Sequence, residues 1–274
     1  MITITILSDN RPSPANPALC AEHGLSLWVE CDGVRMLVDT GASDLYLRNA
    51  EQLGIEAAKA DMVVLSHAHR DHTGGINHLP EQLLDKPLYV AENLFDKECY
   101  SVRGGVVHNI SAPKLELPIR QVEVAGVVKV SDQILLLSAD DYGYPQPLAN
   151  RYLTCVQGGV ECADDFAHEI TVCLTTPSGL VIISPCSHRG AANIIASCRE
   201  RTGEERVAAF VGGLHLPDYE GVEREAESVA RTIAEVAPEA AIYTGHCSSD
   251  RAITTMEALL PNLHRLYVGL TFSV

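Results

Sequence analysis

The chain has 274 residues, 46% of them apolar, with 20 Gly and 14 Pro, a make-up that suits a globular protein able to bury a large core. Its formal charge of −16 argues against the basic face that a broad nucleic-acid footprint needs, yet leaves room for a small anionic substrate beside metal ions. No apolar run approaches the roughly 20 residues of a membrane helix, so neither nucleic acid nor membrane is expected as a partner.

Nine cysteines stand singly from Cys20 to Cys247. The opening Met1-Ile2-Thr3-Ile4-Thr5-Ile6 alternates like a strand rather than a secretory leader. Dispersed thiols in that setting predict a reducing, cytoplasmic compartment. Ile2–Leu7 is the first predicted strand, followed by a Pro-rich loop to about Pro17, long enough to be functional. Strands Leu25–Cys31 and Val34–Val38 flank Asp32-Gly33, a pair suited to the positive φ of a tight hairpin. His23, in Glu22-His23-Gly24 just before, either lines a site or caps a loop. The second strand of the hairpin runs into Asp39, and a carboxylate at the end of a buried strand needs partners. Ser43 is expected to cap a helix to Leu53, closed by Gly54.

The apolar strand Met62–Leu65 then delivers Ser66-His67-Ala68-His69-Arg70-Asp71-His72-Thr73-Gly74-Gly75, with four candidate metal ligands inside six residues. In an extended segment His67 and His69 point to one side. Asp71 and His72 fall at the start of a helix expected to reach Leu79-Pro80. Imidazole and carboxylate are ligand types that zinc or iron accepts, and two ligand pairs leaving one turn in different directions suit two metals side by side.

Leu88–Ala91 is a further strand. From 93 to about 150 we expect an insertion of two or three short strands and long loops, which either roofs the site and chooses the substrate or is a surface elaboration; His108 in it reads as structural. Ile170–Leu174 and Leu180–Ser184 pair around Pro177-Ser178-Gly179. The second leads into Cys186-Ser187-His188 and a helix from Ala191, repeating the strand–turn–helix arrangement and marking His188 as a metal ligand. Cys186 either ligates as thiolate or is an inert buried thiol. Strand Val207–Val211 runs into Gly212-Gly213-Leu214-His215, placing His215 where it contacts substrate or moves a proton. Asp218 is expected to cap a helix Tyr219–Val236, whose Val222, Ala226, Val229, Ala230 and Ile233 follow helical spacing. Strand Ala240–Tyr243 delivers His246-Cys247, and a helix Ala252–Leu260 and a strand Arg265–Phe272 follow.

The run from His67 to His72 resembles the His-x-His-x-Asp-His signature of the metallo-β-lactamase-fold superfamily. With Glu22-His23-Gly24-Leu25-Ser26, Cys186-Ser187-His188, Gly212-Gly213-Leu214-His215-Leu216 and Thr244-Gly245-His246-Cys247-Ser248, the chain resembles one branch of it nearly end to end. That branch is the metal-dependent hydrolase group that includes the archaeal dihydropterin–ribofuranosylaminobenzene 5′-phosphate synthase. Pro185 and Ser249 depart from the Gly-Cys-Ser-His and His-Cys-Thr-Gly forms of the branch, which leaves the substrate open.

The resemblance implies a single α/β domain over 1–274, a four-layered αββα sandwich with an insertion at about 93–150. It implies His67, His69 and His188 on one divalent metal ion and Asp71, His72 and His246 on a second, zinc first, with iron or manganese as alternatives. Asp39 is implied as a support of the metal loop. Cys186 stands where many members end a strand with a metal-bridging aspartate. His168 precedes it by an interval comparable to that of a further ligand histidine, without the usual Gly-His-Thr setting. Cys186, His168 and His23 therefore stay open between ligation and support. The implied activity is that of a dinuclear hydrolase: a metal-bridging hydroxide attacks a small, phosphate-ester-like substrate, with Asp71 and His215 as catalytic residues. The alternatives are a pterin-related synthase, a redox diiron protein or a small-molecule sensor, and self-association into a homo-oligomer is open.

Overall fold

The computed structural model describes residues 1–157 and 159–274, which form eighteen strands and five α-helices. In chain order the first are β1 (Ile2–Ser8), β2 (Ser26–Cys31), β3 (Val34–Val38), α1 (Leu45–Gln52), β4 (Met62–Val64), α2 (Arg70–Thr73), β5 (Pro87–Ala91), β6 (Glu98–Arg103), β7 (Val106–Asn109) and β8 (Arg120–Val124). Next come β9 (Val127–Lys129), β10 (Ile134–Leu137), β11 (Leu153–Gln157), β12 (Val160–Ala163), β13 (Thr171–Thr176), β14 (Gly179–Ile183) and α3 (Ala191–Thr202). The rest are β15 (Val207–Val211), α4 (Val222–Val236), β16 (Ala241–Thr244), α5 (Asp250–Glu257), β17 (Leu263–Arg265) and β18 (Thr271–Ser273).

These elements fall into two compact units. The first comprises residues 1–124, 151–168 and 267–273. Its main sheet has the order β18-β1-β2-β3-β4-β5-β8. The β18, β1, β2 and β3 neighbours pair antiparallel and the β3, β4, β5 and β8 neighbours parallel. Met62, Val63 and Val64 of β4 are all buried, as a central parallel strand covered on both faces requires. Leu37, Tyr46, Val63, Leu65, Ile76 and Leu88 share one apolar cluster. Asp32 and Gly33 have φ of 48° and 82°, so the β2–β3 hairpin turns as its sequence predicts. A smaller antiparallel sheet, β12-β11-β6-β7, completes this unit.

The second unit comprises residues 125–150 and 169–266, with Val274. Its sheet has the order β17-β16-β15-β14-β13-β10-β9. The outer pairs β9–β10, β10–β13 and β13–β14 are antiparallel, and β14–β15, β15–β16 and β16–β17 parallel. All five residues of β14 are buried. Against this sheet pack Ile194 and Ile195 of α3, Ala226, Ala230 and Ile233 of α4 and Met256 of α5. Each Ile so buried contributes about 1.5–3 kcal/mol.

Several boundaries differ from the sequence reading. The helix after His69 has four residues, α2, followed by a short 3-10 turn at Ile76–His78; Gly74 and Gly75 interrupt it. The 93–150 stretch contains five strands, β6–β10, not two or three. Gly221, not Asp218, precedes α4, and Asp218 accepts a hydrogen bond from Arg251 instead (2.7 Å). Asp44 takes the N-cap position of α1, although Ser43 Oγ does accept from Leu45 N–H (3.2 Å). The last strand is two short ones, β17 and β18, in different sheets. Among the described residues no helix is long and apolar enough to cross a membrane.

Candidate metal centre

In the first unit, β3 and β4 run parallel and stop side by side. Asp39 follows β3 in the left-handed region, φ 58°, a conformation that Asp tolerates better than most residues. Its side chain is fully buried and bound by the loop after β4. Oδ1 accepts from Ser66 N–H (2.7 Å), and Oδ2 accepts from Ser66 Oγ–H (2.7 Å) and from His72 Nδ1–H (2.7 Å). The Ser66 hydroxyl has one proton and gives it to Asp39, so toward His67 Nδ1 (2.8 Å) it is the acceptor. Both His67 and His72 therefore carry their ring proton on Nδ1 and their lone pair on Nε2. One carboxylate thus sets two tautomers, the support that metal-binding imidazoles ordinarily receive from outside the coordination sphere.

The three motif histidines are close. His67 has ring centroids 4.5 Å from His69 and 4.2 Å from His72. Burial pushes the His67 imidazole well below its ordinary range, and the neighbouring His72 and His69 add to this. Burial also lowers His69, partly offset by the Asp164 carboxylate. Neutral imidazole is the form a metal ion takes. Asp71 is partly exposed, with Oδ2 3.8 Å from His72 Nε2 and 3.4 Å from His23 Nε2. His23 is mostly exposed and accepts at Nδ1 from Asn10 Nδ2 (3.0 Å). Glu22 pins that loop, its carboxylate accepting from Ser8 Oγ, Ala42 N–H and Ser43 Oγ.

His168 is fully engaged by protein. Its Nδ1 accepts from Ala68 N–H (3.1 Å), which puts the proton on Nε2, donated to Asp164 Oδ2 (3.1 Å). This is a bracing position under the metal loop. Burial by itself would raise the Asp164 carboxyl, but hydrogen bonds from His168 and His69 outweigh it and hold the group well below the carboxylate range. Cys99 Sγ belongs to the same buried cluster as His69, Asp164 and His168, whose donor atoms all lie within 4.8 Å of one another.

The second unit has its own donor set. Glu169 is buried and clamps the turn after β14: Oε1 accepts from His188 N–H (2.7 Å) and Oε2 from Arg189 N–H (2.8 Å). Asn150 Oδ1 accepts from His188 Nδ1–H (3.2 Å), again leaving the lone pair on Nε2, while Asn150 Nδ2 donates to His188 O (2.8 Å). The His188 and His215 ring centroids are 4.2 Å apart. His215 and His246 both follow strand ends and both sit at positive φ, 47° and 48°, strained conformations of the kind that gather at functional sites. Cys186, His188 and His215 form one group of donor atoms within 4.8 Å, and Cys186, His246 and Cys247 another. Burial opposes ionisation of Cys247, but the Cys186 and His215 side chains and the charge of His246 bring its thiol well below the usual range.

A divalent metal fits these residues. The donors are imidazoles, of which His67, His72 and His188 have their tautomers fixed by hydrogen bonds, with carboxylates and a thiol inclined to ionise. Both ring nitrogens of His215 are buried, with the Cys247 thiol as a polar neighbour, and a bound ion or ligand relieves the cost of burying them. Thiolate beside imidazole favours zinc or iron over magnesium or manganese.

Asp164, Cys99, Cys247, Asn150 and Glu169 were not singled out from the sequence. For Asp164 the signal is the Asp-x-x-x-His spacing to His168, and for Cys247 its adjacency to His246.

Among known proteins, the family profile described as "Metallo-beta-lactamase superfamily" matches residues 21–184. The 7,8-dihydropterin-6-methyl-4-(beta-D-ribofuranosyl)-aminobenzene-5'-phosphate synthase of Methanocaldococcus jannaschii is 28% identical over 273 residues, covering 93% of this chain and 90% of that protein. The crystal structure of Tm1679, described as a metal-dependent hydrolase of the beta-lactamase superfamily, is similar with a TM-score of 0.84 and 27% identity over 100% of this chain and 99% of that one. Zn(2+)-bound PqqB from Methylobacterium extorquens shares the fold at a TM-score of 0.57 and 13% identity, covering 99% of this chain and 100% of that one.

Proposed function

This chain belongs to the metallo-β-lactamase superfamily, and from that premise we propose that it is a metal-dependent hydrolase acting on a small anionic substrate of the phosphate-ester class. The observation that carries the reading is the relay from Asp39 through Ser66 to His67, and directly to His72, which presents two Nε2 lone pairs. In the first unit His67, His69, Asp71 and His72 would hold metal; in the second His188 and His246 would, with Cys186 and Cys247 as the further donors. Divalent ions, when bound, bring the pKa of water toward neutrality and take up charge developing on a substrate oxygen.

The chain's own groups supply the rest. Asp71, partly exposed, is the most accessible member of the first donor set, so its carboxylate is the group that can orient an incoming water and accept its proton. His215, whose ring lies against His188 and whose side chain acts on the Cys247 thiol, can donate to a substrate oxygen or leaving group. The anionic substrate is supported by the relative from Methanocaldococcus jannaschii, whose name contains a 5′-phosphate. That relative also favours a second reading, a pterin-related synthase, over the redox and sensor alternatives.

Two measurements decide. Elemental analysis of protein purified without chelator or affinity metal should find about two zinc or iron ions per chain. The loaded protein should hydrolyse members of a panel of phosphomonoesters and phosphodiesters, with turnover lost in His69→Ala together with metal. Metal retained in His69→Ala at full activity would remove that residue from the ligand set. A fully loaded protein inactive on every ester, yet consuming a dihydropterin substrate, would establish the synthase reading in its place.

A further inference from the structure

The small sheet of the first unit carries three cysteines in one row. Cys99 of β6 stands opposite Cys155 of β11, and Cys155 stands opposite Cys162 of β12. Residues directly opposed in an antiparallel pair project to the same face. The Cys155 and Cys162 sulfurs are 3.6 Å apart, in contact, where a disulfide bond is about 2 Å long.

The two members differ in access. Cys162 is on the edge strand of the sheet and is partly exposed, whereas Cys155 and Cys99 are buried. Burial, with the Cys162 sulfur beside it, pushes the Cys155 thiol up to about 12, and burial pushes Cys99 to the same value. Neither buried thiol starts an exchange with a solute, and Cys162 is the sulfur a solute can reach.

We propose that Cys155 and Cys162 are a redox-responsive modification site, which closes reversibly to a cross-strand disulfide on reaction with a low-molecular-weight disulfide, RSSR. The Cys162 thiol loses its proton to solvent and its sulfur attacks RSSR. The oxidant's S–S bond breaks, one RS⁻ leaves, and a mixed disulfide forms at Cys162. Cys155 then loses its proton, attacks Cys162 Sγ and expels the second RS⁻. Two protein thiols are oxidised by two electrons, one RSSR is reduced, and the two protons finish on two RSH. Glu161 precedes Cys162 in a chain of net charge −16, so the site favours a neutral disulfide over an anionic one. The bond ties β12 to β11 two residues before Asp164, the carboxylate held by His168 and His69.

The test is thiol mapping on the full chain. Reduced protein is incubated with 2-hydroxyethyl disulfide, alkylated, and cut at Glu161, which separates the two cysteines, then analysed by mass. The expected result is a Cys155–Cys162 linked pair lacking two hydrogens, with both of its thiols lost to alkylation in addition to that of the exposed Cys20, which forms a mixed disulfide, and full recovery with dithiothreitol. In Cys155→Ser, Cys162 should stop at the mixed disulfide; in Cys162→Ser, Cys155 should stay alkylatable after denaturation. The proposal is overturned if both cysteines remain alkylatable when the exposed Cys20 has been converted to its mixed disulfide. A Cys99–Cys155 link, or arrest of the wild-type chain at the Cys162 mixed disulfide, overturns it as well.

Discussion

Asp39 satisfies three donors with two oxygens, and two of those donors lead to candidate metal ligands. Asp39→Asn keeps the volume, and Asn accepts the positive φ, so the variant should fold. Its amide, however, offers one acceptor oxygen and turns a donor toward groups that also donate. Metal affinity should therefore fall about 10–100-fold, read by competition with a chromophoric chelator; unchanged affinity would mean that the tautomers are set by something else. Ser66→Ala should cost less, because it releases His67 and leaves the His72–Asp39 bond in place. Acid has a matching effect. In the unfolded chain His67 and His69 titrate near about 6.5, and burial lowers both in the fold. Below that pH the unfolded chain binds more protons, so stability of the metal-free protein is lost as pH falls from about 6.5 toward the lowered values. Asp164, held below its ordinary range, adds stability that is present above about 3.9 and is lost as pH falls through its lowered value. Urea midpoints in chelator should decline from pH 7.5 to pH 5; a flat profile contradicts the burial of these imidazoles. The histidines and Asp39 were legible in the sequence because they ride on a strand end and a dense motif. Asp164 and Glu169 were not, since a lone carboxylate in a polar segment shows its partners only after the chain has folded.

The elements around the site were readable wherever their residues alternate or run apolar: β1, the β2–β3 hairpin, β4, β14, β15 and α4. The strands of the 93–150 stretch were undercounted because they are short and three of them, β7, β8 and β9, are largely exposed. All four residues of β7 are exposed, so no apolar period marks it as a strand. Glycines explain the shortened helix after the histidine motif. A Cβ on Gly75 would lie 2.3 Å from Thr40 O and 2.4 Å from Ser43 O, and one on Gly74 would lie 2.3 Å from Ala42 O. The motif's backbone is thus pressed against the segment following β3, and a regular helix bearing side chains does not fit there. Gly75→Ala should destabilise the protein by about 1–3 kcal/mol, the usual cost of overpacking. Gly33→Ala meets nothing within 4 Å but sits at φ 82°, so its cost is conformational, about 1 kcal/mol. Denaturant midpoints of the two variants separate steric from torsional strain. A Gly75→Ala variant as stable as the parent would show that the loop can move aside and that the close approach is incidental.

At the scale of the whole molecule, each unit has a seven-stranded sheet that changes from antiparallel to parallel pairing partway across, and each carries its candidate ligands just beyond the ends of its strands. His67 to His72 follow β4, His188 follows β14, His215 follows β15 and His246 follows β16. Apolar strands therefore hold still the backbone from which the ligands project, and folding preorganises the donors before any ion arrives. The energetic consequence is linkage: an ion that binds only the folded chain adds RT ln(1 + [L]/Kd), about 2.7 kcal/mol at a free concentration 100 times Kd. For a chain of this size each kcal/mol moves the melting temperature by about 2–4 °C. Exhaustive chelation should thus lower the melting temperature by roughly 5–10 °C, and added zinc should restore it. Magnesium at the same concentration should not, because imidazole and thiol donors suit the softer ion. Because the protein carries a net charge of −16, any cation relieves some self-repulsion, and magnesium is the control for that general effect. Equal stabilisation by both ions would reduce the metal effect to charge screening. Stabilisation by zinc alone, lost in His72→Ala, would tie it to the donors themselves.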